Sequence, residues 1–258
     1  MPKRVIIRDS DLEEAEPVVE PVDEVVEEVS EEAAAEAERG AEAELEKATA
    51  DAEAAYELVM GKVEEIKIRE QVTQKKFLED PGMSLGILKK LLQRWDSLRD
   101  ELIGYINDAI EKHRRLRDVL EREFSGVEEE LYFNQVELDT MIQLEAQGRP
   151  ISVSKKEELE NLVPKLRERL VELDKRIKEV DARIDELRRM SENVYDHTSY
   201  TDLMEAVFGQ IVETLQGRYG SFEEARAKVR SQIELIAQRE GIPKEYAVIY
   251  LWKRLKGG

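Results

Sequence analysis

Between Leu159 and Val194 an apolar residue returns every three or four positions for five heptads. Leu159, Leu166, Leu173, Val180, Leu187 and Val194 hold one seam position, d. Val163, Leu170, Ile177 and Ile184 hold the other, a, with Ser191 closing the series. A spacing that alternates three and four keeps one narrow stripe of a helix apolar, and such a stripe is buried only against another helix. This repeat limits the chain more than any other feature. It predicts an all-α protein built from long paired helices. Pro164 lies inside the repeat, so the helix either kinks there or a short helix precedes a longer one. Unbroken heptad phase favours the kink.

A second stripe precedes the first. Leu88, Leu91, Trp95, Leu98, Leu102, Tyr105 and Ala109 lead into Leu116, Leu120, Phe124, Val127, Leu131, Asn134, Leu138 and Met141. Ser84 marks its start, and Gly148-Arg149-Pro150 ends it. Ser154-Lys155-Lys156-Glu157 then reads as a capping box, S-x-x-E, opening the next helix. A loop this short returns the chain antiparallel. Pairs such as Met141/Val163, Leu131/Leu173 and Leu120/Ile184, whose residue numbers all sum to 304, place a against d with Asn134 as the one polar layer. The rival arrangement is a parallel homodimer of the last long helix, for which β-branched a and Leu-rich d positions are also suited.

The remaining segments are set by periodicity and punctuation. Residues 33–80 predict an Ala/Glu-rich amphipathic helix carrying Leu45, Ala48, Ala52, Tyr56, Val59, Val63, Ile66, Thr73 and Phe77, stopped by Asp80-Pro81-Gly82. Residues 84–196 are the expected antiparallel coiled-coil hairpin, with its tip at 147–154. Residues 198–258 are a small domain of three short helices. Their breaks are Gly217-Arg218-Tyr219-Gly220, a second capping box at Ser221-Phe222-Glu223-Glu224, and Gly241-Ile242-Pro243.

Charge separates off a fourth region. The formal net charge is −19. Residues 1–46 hold seventeen acids against Lys3, Arg4, Arg8 and Arg39, a sum of −13, so the other 212 residues carry −6. Residues 9–32 have twelve acids and no base, with Pro17 and Pro21 opposing a helix. Residues 1–32 therefore read as an acidic tail, disordered when free. Val18, Val22, Val25 and Val29 nevertheless fall on one helical face, which makes them candidates for docking on a partner.

Residues able to carry chemistry are sparse. The chain has no cysteine and two histidines, His113 and His197. Thiol catalysis, thiolate metal sites and disulfides are thereby excluded. No phosphate-loop, dinucleotide or nucleophile-elbow motif is present, nor is any E-x-x-H pair. His113, within Lys112-His113-Arg114-Arg115-Leu116-Arg117, reads as part of a solvated face. His197 reads as a hinge or cap. No cofactor or metal is expected, and catalysis is not.

Protein partners are expected. Further candidates for binding them are Arg149, Ile151 and Val153 at the hairpin tip, with Tyr250 and Trp252 in the apolar last helix. Nucleic acid is the alternative partner. Gly217-Arg218-Tyr219-Gly220 resembles the GXXG loop of KH domains, though the strands of that fold are missing here, so a helix stop is preferred. The cations for such a role would be Arg218, Lys253, Arg254 and Lys256. Residues 202–258 hold nine bases against eight acids, too even a balance for a phosphate-binding field. The start MPKRVIIRDSD lacks the apolar run of a signal peptide, and no run spans a bilayer, so the expectation is cytoplasmic. The functional expectation is a non-catalytic scaffold or adaptor that spaces and connects partners through its termini, self-association through the coiled coil included. The alternative is an accessory protein of chromosome organisation using the C-terminal helices.

Overall fold

A computed structural model describes the backbone of residues 23–256 and the side chains from residue 39 to residue 256. The described residues form seven helices and no strand: α1 Asp23–Glu79, α2 Leu85–Ala146, α3 Val153–Glu192, α4 Val194–Thr198, α5 Asp202–Gln216, α6 Phe222–Glu240 and α7 Lys244–Lys256. The chain divides into two units, Met1–Ala43 and Glu44–Gly258. In the first, helical backbone begins at Asp23, so the last ten residues of the expected tail, 23–32, lie within α1. The rest of that tail, 1–22, lies outside the described residues. The second unit holds the packed helices.

Helix ends match their punctuation with one exception. Ser84 caps α2, its Oγ accepting from the Ile87 N–H, and Ser221 caps α6, its Oγ accepting from the Glu224 N–H at 3.1 Å. The exception is α3. Its N-cap is Ser152, which accepts from the Lys155 N–H, while Ser154 lies in the first turn and donates to Glu158 at 3.3 Å. Both serines offer the same hydroxyl, and the turn geometry selects the earlier one. Gly241 ends α6 in the left-handed region at φ 62°, a conformation that favours glycine, and the Ile242 N–H returns to the Ala237 carbonyl.

The helix α3 runs through Pro164 as one element, so the heptad phase outweighs the missing N–H. It lies antiparallel to α2. Cross-helix pairs are Lys155–Glu137, Lys156–Glu145, Arg169–Glu123, Arg117–Asp181 and Arg167–Gln135. Their residue numbers sum to 292, 301, 292, 298 and 302, averaging 297, one heptad below the expected 304. A seven-residue slip leaves the same residues on the a and d seam, so the heptads alone cannot choose. The turn chooses. Half of 304 is 152, the α3 cap itself, whereas half of 297 falls between Gly148 and Arg149, inside the loop, where Gly148 takes φ 70°. Asn134 does not reach across the seam; its Nδ2 donates to the Glu130 carbonyl of its own helix.

Nearer its base the hairpin takes on a third helix. Ala52, Ala55, Val59, Val63 and Ile66 of α1 are buried with Leu102, Ile106, Ala109 and Ile110 of α2 and Val180, Ile184 and Leu187 of α3. Small residues on α1 admit close approach. Tyr56 ties the layers together: its hydroxyl donates to Glu186 and the Arg183 guanidinium stacks 3.9 Å over its ring. His113 is a correction to the expectation of a solvated face. It is buried, with Nδ1 2.8 Å from the Ala109 carbonyl and its ring edge-on to Tyr56. The surrounding charges Lys112, Arg114 and Arg115 pair instead with Asp108 and Glu111 along the outer face of α2.

The C-terminal helices share a core with the lower helix ends. Phe77, Met83, Leu88, Leu92 and Trp95 are buried together with residues of α5, α6 and α7, among them Ile211, Val229, Tyr246 and Ile249. Residues 198–258 thus supply most of this core, and the ends of α1 and α2 complete it.

Candidate functional site

Two features of the C-terminal region stand out from its apolar packing. The first is a buried polar clasp. Glu70 of α1 and Arg99 of α2 are both almost wholly buried and form an ion pair. Arg99 also donates from Nε to the Thr198 hydroxyl at 2.8 Å and from Nη1 to Asp96 at 3.0 Å, and stacks 4.4 Å from the Tyr195 ring centroid. The second oxygen of Glu70 accepts from the Tyr200 N–H, and Gln74 donates to the Tyr200 carbonyl at 2.7 Å. Glu70, Gln74 and Arg99, from two helices, thereby grip the segment 195–200, where the heptads lapse.

Burial pushes the Glu70 carboxyl above the usual carboxylate range, although Arg99 and the Tyr200 amide pull the other way. The phenols of Tyr195 and Tyr246 are pushed up, first by burial and then by the acidic neighbours Glu245 and Glu70 for Tyr195, and Glu70 for Tyr246, so both stay protonated near neutrality. Gln74 Oε1, Tyr195 Oη, Tyr246 Oη and Trp95 Nε1 are buried with no protein hydrogen-bond partner. The clasp joins α1 and α2 to the segment 195–200, with Tyr246 of α7 close to Glu70 and Tyr195.

The second feature is a cleft of about 840 Å³ between α5, α6 and α7. Its floor is apolar: Met204, Phe208 and Val212 recur every four residues on α5, facing Ile233 of α6 and Val248 of α7. Phe222, at the start of α6, stands at the mouth and is 45% exposed. Gly209 interrupts the α5 wall, and a Cβ added there would meet nothing within 4 Å. Charges sit on the rim. Lys244 and Glu234 pair at 3.2 Å. Arg226 and Arg230 lie one turn apart on α6, and Arg230 leans toward the Phe208 ring, 6.0 Å away. Glu205 faces them from α5.

The residues singled out by sequence are scattered. Val18 and Val22 lie outside the described residues, as do the side chains of Val25 and Val29 in α1. Arg149 and Val153 are exposed at the hairpin tip and Ile151 is half-buried. Tyr250 and Trp252 are half-buried against the C-terminal core. Of the candidate nucleic-acid contacts, Lys253 is turned inward. Its Nζ donates to the Phe77 and Asp80 carbonyls at 2.8 and 3.0 Å, satisfying the free end of α1. Arg254 lies 6.0 Å from the Tyr250 ring and Lys256 4.6 Å from the Trp252 ring. Arg218 is exposed after α5.

Sequence reasoning missed the cleft, because its lining comes from three helices and each apolar residue there reads as ordinary core. It also missed Tyr132 and Phe133, which are 68% and 70% exposed on the outward face of α2 beside Val136. Their signal was present: two adjacent aromatics off the seam positions. Among the described residues no cluster of three or more acids and histidines could hold a metal ion, and no helix is long and apolar enough to cross a membrane. Comparison of the chain with protein-family models, with curated proteins and with solved structures gives no match.

Proposed function

We propose that this protein is a non-catalytic scaffold or adaptor of the cytoplasm, a coiled-coil hairpin that spaces and connects protein partners, with the C-terminal cleft as one docking site. The observation that carries this reading is the cleft itself: an apolar concavity with charged residues in its lining, between three helices that also pack into the C-terminal core. Two supports stand beside it. The α2 helix of 62 residues is about 93 Å long at ~1.5 Å per residue, a spacer's dimension. Carboxylates along the hairpin, such as Glu121, Asp174 and Asp185, are solvated and taken up in ion pairs, an arrangement poorly suited to proton transfer.

The nucleic-acid alternative draws less support. It counted on Lys253, which is committed to the α1 terminus, and on a basic face that the rim carboxylates Glu205 and Glu234 dilute.

A photo-crosslinking residue in place of Phe222, in the full chain expressed in its source cell, tests the reading. A discrete protein adduct at that position, lost when Gly209→Leu fills the cleft, is the expected result. Adducts that form equally well in the Gly209→Leu chain would remove the cleft as a docking site.

A further inference from the structure

The shape and charge of the cleft specify more than the presence of a partner, and the inference drawn from them rests on the docking reading. The lining runs from Met204 to Val212 on α5 and from Phe222 to Glu234 on α6. At ~1.5 Å per residue these walls are about 12 and 18 Å long, the length of two to three helical turns. A small molecule would use only part of such a trough, whereas one face of a helix matches it.

Gly209 adds a second indication. A glycine inside an exposed helix costs about 0.5–1 kcal/mol relative to alanine. The space beside Gly209 is open in the folded chain, as it is beside Gly61, Gly104 and Gly126, but Gly209 alone of these lines the cleft. An approaching helix backbone would need that space, because helices meet at about 8–10 Å and the lower end of that range requires a small residue at the contact.

Charge then selects the helix. Lys244 and Glu234 neutralise each other. Arg226 and Arg230 remain on the α6 side, with no carboxylate in ion-pair range among the described residues, against Glu205 alone on α5. The two arginines are spaced as i and i+4, so they match carboxylates one turn apart on a partner helix lying alongside. We propose that the cleft binds a partner's amphipathic helix, with its apolar stripe on Met204, Phe208 and Val248 and an acidic flank along Arg226 and Arg230.

Synthetic helical peptides of about five turns test this with the full chain. All share one leucine stripe at i, i+3, i+4 and i+7, and the flank beside it is Glu, Gln or Lys; fluorescence anisotropy reads binding. The Glu-flanked peptide is expected to bind about tenfold or more tighter than the Lys-flanked one, the order of one or two charge-assisted contacts. Arg226→Glu with Arg230→Glu should invert that order. Gly209→Leu should weaken every peptide about tenfold, and its melting temperature controls for folding.

If Glu- and Lys-flanked peptides bind equally and Gly209→Leu weakens both, the acidic preference is wrong and the docking reading survives. If no peptide binds, or if Gly209→Leu changes nothing, the helix-binding proposal falls, and the Phe222 crosslink decides the docking reading separately. Salt-sensitive binding of a DNA duplex in place of the acidic peptide, lost in the double arginine variant, would overturn the proposal in favour of nucleic acid.

Discussion

The Glu70 carboxylate lies where water does not reach, and Arg99 is its counter-ion. Pairs of this kind stabilise less than they look, because desolvating two charges offsets most of their attraction; removing one partner leaves the other stranded. Arg99→Met should therefore destabilise the chain by about 3–5 kcal/mol, whereas Arg99→Met with Glu70→Leu should recover most of that loss. Urea unfolding of the two variants measures the difference, and a double variant no better than the single one would contradict it. The pH dependence has a definite sign. Burial raises the folded pKa of Glu70 above its ordinary 4.5, so between the two values the folded chain holds the extra proton. The stability this group contributes is full below the ordinary value and is lost as pH rises through the folded one. Relative to Glu70→Gln, the native chain should lose unfolding free energy over the range in which pH rises from the ordinary Glu value through the folded one. A difference that stays flat across that range would show that Glu70 titrates as a solvated carboxylate. None of this is readable from sequence, in which Glu70 is one acid among 59 and nothing marks it as buried.

At the scale of elements, sequence and structure agree most where local chemistry decides. Capping serines at 84 and 221, the glycine at 241 and the stop at Asp80-Pro81-Gly82 act within one turn of chain, so they were legible. Pro164 shows the limit of local rules. It deprives the Glu160 carbonyl of its donor inside α3, yet the seam residues Val163 and Leu166 on either side are buried and hold the helix together. Pro164→Ala should restore that bond and raise stability by up to about 3 kcal/mol, read as a shift of the urea midpoint at constant slope. No gain would mean that the proline geometry is itself packed for. The hairpin register was beyond local rules for another reason. A heptad repeat maps onto itself under a seven-residue shift, and the loop, not the seam, breaks that degeneracy.

For the whole molecule, the telling fact is where the lower core draws its residues. Phe77 from α1 and Leu88, Leu92 and Trp95 from α2 are buried with Ile211, Val229, Tyr246 and Ile249. Lys253 of α7 caps α1, and the clasp fastens Tyr200 to Glu70 and Gln74. Residues 198–258 alone would leave in water the apolar surface that Phe77, Leu88, Leu92 and Trp95 cover. That fragment should therefore show no cooperative thermal transition by circular dichroism, while residues 44–258 should melt in a single one. A cooperative melt of the short fragment would show that it folds without the helix ends it packs on.

What the sequence determined by itself is everything set by period and nearest neighbours: the helical segments other than the short α4, most of their ends to within a few residues, and the apolar stripe on each. These come from 3.6 residues per turn and from capping groups adjacent in the chain. What only the tertiary structure decided is which stripes meet. Heptad slip, the burial of Glu70, Arg99 and His113, the use of Lys253 as a cap and the cleft beside Gly209 all depend on residues tens to more than a hundred positions apart. Contacts between such residues leave no periodic trace in either segment, so they appear only once the helices are packed.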